Sequence, residues 1–142
     1  MGKERDAVHE VISILKQTVS RSEFFEASPE TPRDLCLKKA ESCDVFVGIY
    51  KKSYGHIPTE KNPEEISVIE MEYDAAYKKK RPILIFIHSK ASQSDSEKFL
   101  KFIQKITNFT YGRFRKTFKN PEELQYHLFA SLVFNIFNLD NI

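Results

Sequence analysis

The chain has 142 residues, of which 41% are hydrophobic and 30% are charged, and its formal net charge is +2. This length fits one globular domain with a sizeable core. The nearly balanced charge argues against a general electrostatic attraction for nucleic acid or for an anionic membrane. No apolar run is long enough to cross a bilayer, and no signal peptide is recognisable. We therefore expect a cytoplasmic domain that binds neither membranes nor nucleic acid.

The cysteines and histidines show no spacing typical of a metal site. Cys36 and Cys43 form no CxxC pair, and the four histidines are scattered without i,i+4 pairing. We expect both cysteines to be reduced core residues, and we expect neither a bound metal nor a cofactor.

The predicted elements begin with two helices that flank a short strand. Apolar residues recur at intervals of three and four over Lys3–Val19, which predicts a helix. Two adjacent phenylalanines in Arg21–Glu26 indicate a short strand. Thr31 as N-cap, with Pro32 in the first helical position, predicts a second helix that ends near Ser42.

Two apolar segments predict a parallel sheet. Asp44–Tyr50 and Arg81–His88 carry continuous rather than alternating apolar residues, which is typical of strands buried on both faces. Thr59–Ile66 is polar and predicts a loop, and the helix that follows it begins at Ser67. Strand, helix and strand in this order imply a right-handed βαβ unit. Ligands of such sheets bind beyond the carboxyl ends of the strands, where we expect the Ser53–His56 loop.

The last third of the chain predicts helix, strand and helix. The helix is expected over Asp95–Ile106 and the strand over Phe109–Phe114, followed by a long helix with Asn120 as its cap and Pro121 in its first position. The apolar residues of the long helix are too many for one narrow stripe. Such a helix is either deeply packed or presents a second apolar face to a partner. These residues are Leu124, Leu128, Phe129, Leu132, Val133, Ile136 and Phe137.

The helix that begins at Ser67 carries an acidic residue in its apolar stripe. Ser67 and Glu70 match the spacing of a capping box, which favours a structural role for Glu70, although Glu70 is also a candidate ligand contact. The 3.6-residue period puts Glu72 on the same face as Val68 and two alanines. A buried unpaired charge is costly, so Glu72 is expected to be paired, shifted in pKa, or placed at the edge of a cavity. The sequence leaves three roles open for Glu72: a catalytic residue, a structural carboxylate with a partner, or a solvent-facing side chain.

Several blocks of the sequence occur in the order typical of one family. The chain resembles the domain of unknown function 4062 family, a relative of TIR domains and nucleoside deoxyribosyltransferases, over roughly residues 4–130. The blocks include Glu4-Arg5-Asp6-Ala7-Val8, Ser42-Cys43-Asp44-Val45-Phe46-Val47-Gly48-Ile49, Glu70-Met71-Glu72-Tyr73, Arg81-Pro82-Ile83-Leu84-Ile85-Phe86 and Asn120-Pro121-Glu122-Glu123-Leu124.

This resemblance implies an α/β, three-layer flavodoxin-like (TIR-like) domain with a mostly parallel sheet. It also implies an N-glycosidic reaction, in which a glutamate attacks or stabilises C1′ of a ribose, and by position that glutamate is Glu72. Tyr54 would then stack on a base, while Ser53 and Ser67 would orient the substrate. Gly55 would supply the positive φ of their turn, although this turn is equally consistent with a purely structural role.

The sequence departs from the family at its start, where the family has a central strand and a Ser/Thr-rich loop. We expect residues 1–142 to form a single domain whose first strand is missing, as a fragment or N-terminal module of a larger protein. Its predicted role is a signalling or defence module that associates with itself or with other domains of a parent protein. The alternative is a hydrolase or transferase that uses Glu72 on NAD or a nucleoside, bound as substrate and not as cofactor.

Overall fold

The computed structural model describes residues 2–14, 32–109 and 115–138, with side chains described for residues 2–11, 33–108 and 115–134. These residues form five α-helices and three strands, with one 3₁₀ turn at Ala91–Gln93. The elements in chain order are α1 (Gly2–Ile14), α2 (Pro32–Ser42), β1 (Phe46–Tyr50), α3 (Val68–Lys78), β2 (Ile83–His88), α4 (Glu97–Phe109), β3 (Arg115–Phe118) and α5 (Pro121–Asn138).

The three strands form one parallel sheet in the order β1-β2-β3. Tyr50 at the end of β1 lies opposite Ile87, and His88 at the end of β2 lies opposite Phe118 in β3. A helix connects each pair of neighbouring strands, as parallel pairing requires. The prediction of an α/β fold with a parallel sheet is confirmed, and the layout is compatible with a flavodoxin-like arrangement.

Helices cover both faces of the sheet, so that β2 lies between two apolar clusters. Ile85 and Ile87 belong to the cluster that faces α3 and α4. Leu84 and Phe86 belong to the cluster that faces α1 and α5. All four side chains are buried. The continuous apolar run of this segment therefore predicted correctly a strand that is covered on both faces.

β1 is less completely covered than its sequence predicts. Phe46, Val47 and Ile49 all keep partial exposure. The amide of Phe46 donates to the carbonyl of Pro82 at 2.8 Å, so the backbone groups of Val47 and Ile49 point to the opposite edge. Among the described residues, no strand pairs with that edge. The prediction of a strand buried on both faces holds fully for β2 and only in part for β1.

Several predicted boundaries differ from those of the structure. α1 is described as far as Ile14, and the predicted strand Arg21–Glu26 lies outside the described residues. The prediction of a strand over Phe109–Phe114 is wrong at its start, since Phe109 is the last residue of α4 and β3 begins at Arg115. In the sequence, Phe109 follows Phe102 and Ile106 at helical spacing, so its position fits a helix as well as a strand.

The buried face of α3 is also rotated from the predicted one. Tyr73 is 1% exposed and Ala76 is 0% exposed, whereas Val68, Glu72 and Ala75 are only half-buried. We expected the face of α3 that carries Glu72 to pack against the core. Instead, the face that carries the large aromatic ring of Tyr73 packs there. Glu72 therefore lies at the side of the buried face and not at its centre.

The long helix α5 begins as predicted. The side chain of Asn120 accepts a hydrogen bond from the backbone N–H of Glu123 at 2.8 Å. None of the helices in the described part of the chain combines the length and the apolar content that a bilayer crossing needs. The cytoplasmic location stays a prediction.

Candidate functional site

α3 begins at a buried N-cap that is linked to a charged network. Ser67 is fully buried, and its hydroxyl accepts a hydrogen bond from the backbone N–H of Glu70 at 3.3 Å. The carboxylate of Glu70 accepts hydrogen bonds from the Tyr54 hydroxyl and from Lys105 Nζ, the latter at 2.8 Å. Lys105 Nζ also donates to Asp74 Oδ1 at 2.7 Å. Ser67 is thus confirmed as the N-cap, but the capping box is only half formed, because the Glu70 carboxylate binds Tyr54 and Lys105.

We call Tyr54, Glu70, Asp74 and Lys105 the Glu70 network. Burial alone would lower the pKa of Lys105, but its hydrogen bonds to Asp74 and Glu70 raise the pKa above the ordinary value. Burial and the hydrogen bond to Glu70 raise the pKa of Tyr54. Glu70 on α3 therefore links Tyr54 in the loop after β1 to the charged Lys105 on α4. Because these groups bind one another, we interpret the network as structural.

The other two residues of the predicted ligand turn lie at the surface. Ser53 and Gly55 are exposed, and Gly55 has the positive φ that the sequence predicts, at 84°. The turn is fixed at both ends, since the Val68 amide donates to the His56 carbonyl at 3.0 Å and the Ser94 hydroxyl donates to the Lys52 carbonyl at 2.7 Å. The structure thus brings together three of the predicted residues, Tyr54, Ser67 and Glu70, and leaves Ser53 and Gly55 in solvent.

Glu72 points to a different side of α3 from Glu70, because two residues differ by about 200° around the helix axis. Within the described residues, Glu72 makes no hydrogen bond or ion pair. Burial raises its pKa from 4.5 to about 7, although the positive charge of Arg5 acts in the opposite direction. Burial and the negative charge of Glu72 raise the pKa of the Cys36 thiol to about 11. Glu72 therefore lies near α2 and the start of α1.

Tyr50 is also affected by the charge of Glu72. Its hydroxyl is buried and has no hydrogen-bond partner among the described residues. Burial and the charge of Glu72 raise its pKa well above the ordinary value. The ring contacts Phe102 edge-on, with centroids 4.9 Å apart. The hydroxyl lies over Gly48, where an added Cβ would be 2.5 Å from the oxygen. We call Arg5, Cys36, Tyr50 and Glu72 the Glu72 cluster.

The sequence did not identify the partners of either glutamate. Lys105 and Asp74 contact Glu70 from positions without any motif, and only a folded chain brings α4 to α3. Arg5 belongs to a block that supported the family resemblance, but nothing in that block connects it with Glu72. Tyr50 was part of a predicted strand, but nothing in the sequence indicated that its hydroxyl would be buried without a hydrogen-bond partner among the described residues, because that depends on how the folded chain packs.

Neither group forms a metal site. Among the described residues, no three His, Cys, Asp or Glu side chains come close enough to hold a metal ion. An open surface depression on α2 contains none of the predicted site residues. Its lining is Asp34, Leu37, Lys38 and Glu41.

Comparison with known families gives one match. A family model described as "Domain of unknown function (DUF4062)" matches residues 1–133. This span includes all described elements up to the middle of α5 and both groups around α3. Comparisons with curated proteins and with solved structures found no match.

Proposed function

The chain belongs to the DUF4062 family, and we propose on that premise that it is a TIR-like signalling module. In this proposal it acts as a sensor, adaptor or effector domain within a larger assembly. The observation that supports an association role is the surface of α5, which carries apolar side chains on two opposite sides.

The inner side of α5 packs into the domain through leucines at helical spacing. Leu124 and Leu128 are fully buried, and Leu132 is 4% exposed. The opposite side is aromatic and open to solvent. An exposed aromatic surface on a helix is typical of protein–protein interfaces. We call Tyr126, Phe129 and Phe134, which are 72%, 45% and 48% exposed, the outer aromatic face.

We propose a second copy of the chain as the partner of the outer aromatic face. Light scattering over about a hundredfold range of protein concentration should show assembly, because association depends on concentration. Phe129→Glu should abolish this assembly by placing a charge in the interface. Tyr77→Glu is the matched control, since Tyr77 is an exposed aromatic residue on another helix, at 50% exposure. A wild-type protein that stays monomeric throughout, or equal effects of both variants, would contradict the proposal.

The Glu72 cluster supports a second candidate function, the cleavage of an N-glycosidic bond in a nucleoside or in NAD. A carboxyl group with a pKa of about 7 exists in both protonation states at neutral pH. It can protonate a leaving base, or it can stabilise positive charge at C1′ when ionised. Nicotinamide leaves NAD without taking up a proton, whereas the base of a nucleoside leaves more easily when protonated. We therefore favour a nucleoside as substrate, with exposed Ser53 as a contact.

This candidate is tested by release of the free base. Wild-type protein, Glu72→Gln and the control Glu60→Gln are incubated with NAD and a panel of nucleosides, and the products are separated by chromatography. Glu60 is an exposed glutamate in the loop before α3. Release that is lost only in Glu72→Gln would support the reaction. A folded wild-type protein that releases no base from any of these compounds would exclude it.

A further inference from the structure

Each strand of the sheet is followed by a lysine at its carboxyl end. Lys51 comes directly after β1, Lys119 comes directly after β3, and Lys90 is the second residue after β2. The strands are parallel, so their three carboxyl ends lie at one edge of the sheet. This edge is where parallel α/β sheets bind their ligands.

The strand register brings two of these lysines close to the end of β2. Tyr50 pairs with Ile87, so Lys51 is level with His88. His88 pairs with Phe118, so Lys119 is level with the residue after His88. Neighbouring strands lie about 5 Å apart. Ser89, the first residue after β2, donates its backbone N–H to the carbonyl of Phe118 at 2.9 Å. The pairing of β2 with β3 therefore extends one residue past the end of β2.

A buried carboxylate fixes the position of Lys51. Its Nζ lies 2.9 Å from Oε1 of Glu4, which is 5% exposed. Burial would raise the pKa of Glu4, but the hydrogen bond and the charge of Lys51 keep this pKa below its ordinary value. Glu4 therefore stays ionised and offsets the charge of Lys51. Lys90 and Lys119 are exposed at this edge, as is Lys52 next to Lys51.

His88 lies among these charges and responds to them. Its Nδ1 accepts a hydrogen bond from the backbone N–H of Lys90 at 3.0 Å. Burial lowers the pKa of His88, and the charges of Lys51 and Lys90 lower it further. Glu4 and a hydrogen bond to the backbone of Lys119 act in the opposite direction without reversing the shift. Burial is thus the main cause of the lowered His88 pKa, and the charges of Lys51 and Lys90 add to it.

We propose that this edge binds the phosphate group of a phosphorylated small molecule, with Lys90 and Lys119 as its contacts, while Lys51 stays paired with Glu4. A phosphate group carries the charge and the acceptor oxygens that several ammonium groups can bind together. The exposed ammonium groups can reach a ligand without disturbing the Lys51–Glu4 pair. This site does not depend on Glu72 or on the outer aromatic face.

The test titrates inorganic pyrophosphate, ADP and adenosine into the full chain, with calorimetry for affinity and NMR for the His88 ring. Pyrophosphate and ADP should bind, and adenosine should not. The double variant Lys90→Gln/Lys119→Gln should bind pyrophosphate about tenfold more weakly. Saturation with pyrophosphate should raise the pKa of His88, because the anion offsets the positive potential of the lysines.

The control variant Lys78→Gln/Lys79→Gln removes two exposed lysines at the C-terminal end of α3, which leads to the start of β2 and so lies at the opposite edge of the sheet. If both double variants bound pyrophosphate equally weakly, the binding would be a general attraction between charges, and the proposed site would be wrong. Adenosine binding as tight as ADP binding would overturn it as well, as would a His88 pKa that does not change at saturation. Tighter binding of ADP than of pyrophosphate would support the site and identify a nucleotide as its ligand.

Discussion

Replacing Glu72 by glutamine should stabilise the domain at alkaline pH and leave its stability nearly unchanged in acid. The folded domain holds the Glu72 proton with a pKa of about 7, compared with an ordinary value of 4.5. A raised pKa means that the folded state binds the proton more tightly than the unfolded chain does. The corresponding stability is complete below pH 4.5 and is lost as the pH rises to 7. Glutamine resembles the protonated glutamate at every pH.

The size of the effect follows from the same pKa. Each pKa unit corresponds to about 1.4 kcal/mol, so the wild type loses about 3 kcal/mol between acid and alkaline pH through this group. Glu72 is half-buried, and solvent around its exposed part makes this value an upper bound. We therefore expect Glu72→Gln to exceed the wild type in free energy of unfolding by about 2–3 kcal/mol at pH 8, with little difference at pH 4.

Urea denaturation of wild type and Glu72→Gln from pH 4 to pH 8 measures the difference between their free energies of unfolding at each pH. Because all other titrating groups are the same in both proteins, their contributions cancel in this difference. Glu60→Gln, a change at an exposed glutamate, controls for the loss of one negative charge. A stability difference between wild type and Glu72→Gln that does not depend on pH would refute the reasoning. An NMR titration that places the Glu72 carboxyl near pH 4.5 would refute it directly.

Three further substitutions test the packing of β1 and α3 by changes in the free energy of unfolding. Gly48→Ala should cost about 1–3 kcal/mol, since the new methyl group would meet the Tyr50 ring; a neutral result would contradict this close approach. Tyr50→Phe should be neutral or stabilising by up to about 1 kcal/mol, because it removes an unpaired buried hydroxyl. Lys105→Met should cost about 1–2 kcal/mol by leaving Glu70 without its cation, whereas Lys101→Met on the same helix should change little.

The elements that the sequence predicted well are those with strong local signals. β2 has an uninterrupted apolar run, and its side chains are buried on both faces. The starts of α3 and α5 were predicted from Ser67 and Asn120, because a cap acts within a few residues of itself. The start of β3 could not be predicted in this way, since Phe109 fits the alternation of a strand and the stripe of a helix equally well.

The candidate site was less predictable than the fold, because it depends on contacts between distant segments. Periodicity placed Glu72 on an apolar stripe, but the rotation of α3 was decided by the bulk of Tyr73 in the core. The backbone N–H of Glu70 was correctly associated with the cap, yet Lys105, a partner of its carboxylate, is 35 residues away along the chain. A single sequence does not encode such pairings in its local pattern.

The position of β2 between the two apolar clusters has a consequence for how the domain opens. Its alternate side chains contribute to both clusters, and its backbone is paired with β1 on one side and β3 on the other. Loss of β2 would expose the inner surfaces of both helical layers at the same time. The two layers should therefore unfold as one cooperative unit, and the amide protons of β2 should exchange with solvent only when the whole domain unfolds.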